Sequence, residues 1–209
     1  MSPRDASGGE ISLLLKLRER IRRNGPLPVS EYMQACVDDP EHGYWRRRDT
    51  IGAAGDFVTA PDLSPLFAHA LARQVAEFLE PGASILEFGA GSGALAEELL
   101  RALAELGCGE PAYLILETSP GLRARQRERL GTRARWITQL PGTARWNGPV
   151  LAGGKLWVVS TEGSLVAVDA RSGQVASTTP LGAKVFVSPI VAGGRMYILA
   201  DNAMLMALN

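Results

Sequence analysis

Glu87-Phe88-Gly89-Ala90-Gly91-Ser92-Gly93 is the stretch on which the reading of this chain turns. A short apolar run, Ser84 to Phe88, leads into it, and Leu95, Leu99, Leu103 and Leu106 follow at helical spacing. A strand, a glycine turn and a helix are expected in that order. Glycines let the backbone turn sharply and let a ligand approach it closely. The N-terminus of the following helix presents free N–H groups and the positive end of its dipole. Gly107 is a helix stop, Ala112 to Leu116 reads as the next strand, and Glu117 stands at its end. A carboxylate about two dozen residues beyond the glycines can accept hydrogen bonds from both hydroxyls of a ribose. Together these describe a nucleoside-cofactor pocket at the carboxyl ends of parallel strands. Gly89-x-Gly91-x-x-Ala94 also satisfies the dinucleotide fingerprint with its permitted final Ala. Glu87, two places before the first glycine, favours S-adenosyl-L-methionine, lying near its methionine end or organising the loop.

Upstream, Leu14, Leu17 and Ile21 mark a helix ending near Asn24-Gly25-Pro26, and a shorter helix follows Ser30. Ser64-Pro65 is a helix start, with Phe67, Leu71, Val75 and Phe78 as its apolar face and Pro81-Gly82 as its stop. Downstream, Ser119-Pro120 begins a helix that ends at Leu130-Gly131, and Arg133 to Ile137 reads as a third strand. Strands separated by helices imply an α/β fold with a parallel sheet. After residue 140 the pattern becomes short apolar runs with Gly pairs, and it repeats. Pro149–Val159 aligns with Pro189–Leu199, and Leu165–Asp169 with Leu205–Asn209. A repeat of about 40 residues built from short strands points to β-propeller blades. The expected division is an N-terminal unit over 1–140, a linker over 141–148 and blade repeats over 149–209.

The 209 residues are 46 % apolar, and 22 basic residues balance 22 acidic ones. Disorder is disfavoured, and no field for nucleic acid exists, so none is expected as a partner. Cys36 and Cys108 form neither a disulfide framework nor a zinc site, His42 and His69 lack metal spacing, and no metal is expected. No apolar run reaches the length of a membrane span and no signal peptide is evident, so a cytoplasmic protein is expected. Arg123, Arg125, Arg127 and Arg129 read as a solvated helix face rather than an RNA contact, because alternate residues spread around a helix. Arg46-Arg47-Arg48 reads as a solvated loop.

Four stretches occur in order: Gly25-Pro-Leu-Pro-Val-Ser-Glu-Tyr-Met33, Asp39-Pro-Glu-His-Gly-Tyr-Trp45, Gly55-Asp-Phe-Val-Thr-Ala-Pro-Asp-Leu-Ser64 and Leu86-Glu-Phe-Gly-Ala-Gly-Ser-Gly93. Over residues 10–140 the chain resembles the MidA family of S-adenosyl-L-methionine-dependent methyltransferases, associated with assembly of respiratory complex I. The resemblance implies a partial Rossmann-like class I methyltransferase domain. It implies cofactor held by Gly89, Gly91, Gly93 and Glu117, with Glu87 beside them, and a segment containing Asp56 and Thr59 that closes over the cofactor region. Asp62 stands where the family more often has Glu. The family continues with further strands and an Asn-Glu segment that helps form the reaction site, and these are absent here. No catalytic residue is assigned, and a truncated unit without detectable turnover is expected, its acceptor being a protein arginine.

The tail, from Trp146, resembles the PQQ-repeat propellers, in particular the lipoprotein subunit of the outer-membrane β-barrel assembly machinery. That resemblance implies about one and a half blades and no quinone. Gly153-Gly154 and Gly193-Gly194 read as hairpin turns, with Trp157 and Tyr197 packing between blades. A fragment of a propeller leaves open strands, so self-association through exposed sheet edges is expected. Two other readings stand beside the enzyme: a non-enzymatic interaction module, and an accidental fusion without joint function.

Overall fold

The computed structural model describes residues 8–39, 41–46, 51–52, 55–142 and 144–208. Arg47 and Arg48 of the loop reading, Pro40, the linker's Thr143 and the repeat's Asn209 lie outside them.

Helices α1 (Gly8–Asn24) and α2 (Val29–Asp38) come first, followed by the short α3 (Ala60–Leu63) and by α4 (Leu66–Ala76). Then come β1 (Ser84–Phe88), α5 (Ala94–Glu105), β2 (Ala112–Glu117), α6 (Pro120–Leu130) and β3 (Ala134–Gln139), the three strands forming a parallel sheet in the order β1-β2-β3. The local chemistry explains the boundaries. The Ser119 hydroxyl accepts from the Leu122 N–H at 3.4 Å, and Pro120 occupies the first turn of α6. Gly107, at φ +78°, ends α5, with Cys108 N–H bonded to the Leu103 carbonyl. The remaining chain is antiparallel. Strands β4 (Trp146–Ala152), β5 (Lys155–Ser160), β6 (Ser164–Asp169) and β7 (Val175–Pro180) form one meander. Strands β8 (Ile190–Ala192), β9 (Arg195–Leu199) and β10 (Leu205–Leu208) form another. The Gly153-Gly154 and Gly193-Gly194 pairs sit at the β4–β5 and β8–β9 hairpins. Strand β4 begins at Trp146, inside the segment read as linker.

Strand β2 is buried on both faces. Tyr113 and Ile115 pack with Ala72, Ala96, Leu99, Leu103 and Leu130 of the helical layer. Leu114 and Leu116 point the other way and share a core with Trp136, Leu140, Leu156, Val158, Val166 and Val168. The four-stranded meander thus covers the second face of the parallel sheet, a place helices take in most α/β folds. Two bonds fasten the layers: Trp136 Nε1 donates to the Ala170 carbonyl at 3.1 Å, and the Thr138 hydroxyl to the Gly173 carbonyl at 2.5 Å. The meander's opposite face, through Val159, Leu165 and Trp157, packs on Met196, Ile198 and Met206 of the last sheet. Trp157 therefore lies between sheets. Tyr197 alternates with Met196 and Ile198 and faces outward instead.

One expected apolar face differs. α4 approaches α5 through the buried Ala68 and Ala72, with Leu71 and Val75 partly covered, while Phe67 is half exposed. Phe78 lies past the helix end and is 80 % exposed, and Leu106 is exposed too. Small residues allow the close helix contact, which leaves the large side chains outside it.

Candidate functional site

Phe88 pairs with Leu116, so the glycine turn leaving β1 and Glu117 ending β2 emerge at the same end of the sheet. The Gly89 N–H donates to the Leu116 carbonyl at 2.9 Å and ties the turn to β2. Gly89, Gly91 and Gly93 all have positive φ, at +74°, +52° and +78°. A Cβ at Gly89 would meet nothing within 4 Å, which leaves open space along the backbone. At Gly91 it would meet the Ile51 side chain at 3.4 Å, and at Gly93 it would reach Gln126 and Arg129 of α6 at 3.6 Å. The first glycine leaves room, and the other two let neighbours close in.

Glu117 is 4 % exposed. Its Oε1 accepts from the Ser119 N–H at 2.9 Å and its Oε2 from Gln126 Nε2 at 3.0 Å. Burial pushes its carboxyl above the ordinary range, opposed by those two bonds, the Thr118 N–H and the Arg123 charge. A carboxylate has about four acceptor positions, and with Ser119, Gln126 and Thr118 donating to it about one remains for a ligand hydroxyl. Glu87 accepts from the Tyr113 hydroxyl at 3.0 Å. Burial raises its pKa, the Tyr113 bond lowers it, and the charge of Glu117 raises it. Burial, followed by the negative charge and hydrogen bond of Glu87, raises Tyr113 in turn.

Of the residues expected to close over the site, Thr59 connects to it through others. The Thr59 hydroxyl donates to Asp62 at 2.6 Å, and Ser92 of the turn donates to the same carboxylate at 2.7 Å. Asp62 thus bridges Thr59 to the turn. Asp56 is held by the Tyr44 hydroxyl at 2.9 Å, within a cluster of Tyr44, Trp45 and Phe57 rings. Ile51, a buried residue that bridges to Phe57, lies against Gly91 of the turn. A cavity of about 240 Å³ opens beside Asp62, Ser64, Ala94, Glu97 and Arg129, and its lining includes neither Glu117 nor Glu87.

The arginines of α6 are not a merely solvated face. Arg125 donates to the Ile51 carbonyl, Arg127 to the Ile137 carbonyl, Arg123 to Gln139, and Arg129 to Ser92 at 3.2 Å. The same spread around the helix that argued for solvation lets Arg123 and Arg127 reach β3, Arg125 reach Ile51 and Arg129 reach the glycine turn. Gln126 escaped the sequence reading, because a buried polar residue leaves no periodic signal. The loop around His42 brings Asp39, Glu41 and His42 within 4.8 Å of one another, although their sequence spacing suggested no metal site. Lys16 is paired with both carboxylates there.

Residues 66–162 match a family described as putative S-adenosyl-L-methionine-dependent methyltransferase. The middle of the chain is therefore similar to this methyltransferase family. Residues 125–209 match a second family, outer membrane protein assembly factor BamB, and the two matches overlap over 125–162. The protein arginine methyltransferase NDUFAF7 homolog, mitochondrial, of Drosophila melanogaster is 35 % identical over 130 residues, covering 59 % of this chain and 30 % of its own. The Xenopus tropicalis protein arginine methyltransferase NDUFAF7, mitochondrial, is 35 % identical over 133 residues, with 59 % and 31 % covered. The chain thus spans less than a third of the length of these relatives. A crystal structure of a likely methyl transferase from Burkholderia thailandensis, bound to S-adenosyl-homocysteine, superposes with a TM-score of 0.57 at 32 % identity. That superposition covers 86 % of this chain and 52 % of the other. Among the described residues no helix is long and apolar enough to cross a membrane.

Proposed function

We propose that the N-terminal part of this chain binds S-adenosyl-L-methionine at the carboxyl ends of β1 and β2. Gly89, Gly91 and Gly93 shape the turn, Glu117 receives the ribose, and Glu87, Asp56 and Thr59 belong to the surroundings. The observation that carries this reading is the buried Glu117 carboxylate at the end of β2, beside the open backbone of Gly89. The residues fit the group: a buried acceptor for a diol and a turn with no side chain over its first glycine. When bound, the cofactor supplies an electrophilic methyl group.

The acceptor in this reading is a protein arginine, after the names of the relatives, and the location is cytoplasmic. The chain is a truncated methyltransferase over 1–140 joined through 141–148 to one and a half propeller-type blades over 149–209. Methyl transfer depends on holding an acceptor in line with the methyl, and positioning supplies much of the rate. In this reading the Asn-Glu segment that the family resemblance implies for that purpose is missing, and binding without detectable turnover is expected. Calorimetric titration with S-adenosyl-L-methionine and S-adenosyl-homocysteine tests the reading. Saturable binding that is lost in Glu117→Ala supports it, and no heat from a folded sample overturns it.

A second reading, an interaction module that self-associates through its open sheets, draws on the last sheet. Met196, Ile198 and Met206 face the meander, while Leu199 and Leu205 on the opposite face are exposed, Leu205 by 65 %. Their counterparts one repeat earlier, Val159 and Leu165, are buried beneath a neighbouring sheet.

A further inference from the structure

Gln126 is fully buried, and its amide does two things at once. Nε2 donates to Glu117 Oε2 and to the Gly91 carbonyl, each at 3.0 Å. Oε1 has no partner among the described residues. Turning the amide over would set Oε1 against two acceptors, so the chemistry of its neighbours fixes its orientation. A buried acceptor without a donor is costly, and a residue kept in that state is held by what its other end does.

We propose that Gln126 is the positioning residue of the cofactor pocket, its amide fixing the Glu117 carboxylate against the glycine turn so that its remaining acceptor position meets the ribose. The inference rests on the cofactor reading above and adds the group that sets the geometry of Glu117. Without the amide, Glu117 Oε2 loses its side-chain donor. The backbone donors of Ser119 and Thr118 and the charge of Arg123 remain to support the ionised carboxylate, against burial and the negative charge of Glu87 on β1. Tyr113 stays with Glu87.

The test uses two variants of the full chain. Gln126→Met keeps length and bulk and removes the donor. Gln126→Glu is nearly isosteric and donates only when protonated. The Glu117 carboxyl carbon is followed by NMR in glutamate-labelled protein, assigned with Glu117→Gln, and S-adenosyl-homocysteine binding is measured at pH 6 and pH 8. Losing a hydrogen bond to a charged group is expected to weaken binding by Gln126→Met about tenfold or more. In that variant Glu117 titrates higher than in the wild type, and binding falls more steeply as the pH drops from 8 to 6. Gln126→Glu has the opposite slope and binds better at pH 6, so it decides the matter if the Met variant does not fold. Wild-type titration and wild-type pH dependence in both variants overturn the inference. A wild type that binds no S-adenosyl-homocysteine overturns the cofactor reading instead, and the Glu117 titration still decides whether Gln126 controls the carboxylate.

Discussion

Replacing Gly173 by Ala tests whether the parallel sheet and the meander share one core. Gly173 has φ +72°, and a Cβ there would lie 2.5 Å from the Trp136 ring and 2.6 Å from Thr138 Oγ1. Both side chains belong to β3, so the clash falls across the seam between the two sheets. Left-handed backbone costs an alanine roughly 1–2 kcal/mol. Overfilling a packed contact adds about 1–3 kcal/mol. Gly182 is the matched control: its φ is +73°, and a Cβ there meets nothing within 4 Å. Gly182→Ala should show the backbone cost alone, and the change in unfolded-chain entropy is common to both variants. Gly173→Ala should therefore be less stable than Gly182→Ala by about 1–3 kcal/mol in urea unfolding. In thermal unfolding each kcal/mol corresponds to roughly 2–4 °C for a chain of this size. Equal losses in the two variants would refute the shared core and return the tail to the status of an independent appendage.

Other consequences follow from the same geometry. Burial raises Glu87 above its unfolded value, so its ionised form penalises the fold at neutral pH, and the penalty is relieved as the pH falls through the raised pKa. Glu87→Gln should stabilise the protein at pH 8 and flatten the rise in stability between pH 8 and pH 5, read by thermal unfolding across that range. Arg125→Ala removes the guanidinium that holds the Ile51 carbonyl, and limited proteolysis should then cut near Ile51 faster, with global stability reduced by about 1–2 kcal/mol. Leu199→Lys with Leu205→Lys places charge on the exposed face of the last sheet. Sedimentation should show less concentration-dependent association, while single-chain stability stays within about 0.5 kcal/mol for each surface change.

The sequence is most legible where local chemistry decides. The run Ser84 to Phe88, the caps at Ser119 and Gly107, and the glycine turn specify β1, α6 and the ends of α5 through short-range geometry. Tyr113 to Leu116 carried a further hint, since an unbroken apolar run implies a strand covered on both faces. What covers the second face was not legible. Trp136 and Gly173 lie far apart in the chain, and their contact has no periodic signature. The candidate site divides in the same way. Glu117 and the glycines follow from spacing, while Gln126 and Ile51 act through tertiary contacts. Arg129 shows the cost of reading helical geometry alone, because its distance from the other arginines around α6 is what carries it to Ser92, Asp62 and Glu97.

Hydrogen exchange with and without S-adenosyl-homocysteine tests the central claim most directly, because it reports where a ligand acts. The account predicts slower exchange in the turn from Glu87 to Ala94 and around Glu117 to Ser119, with the meander unchanged and the effect abolished in Glu117→Ala. Unaltered exchange in both segments at saturating ligand, or protection confined to the β4–β10 sheets, would contradict it.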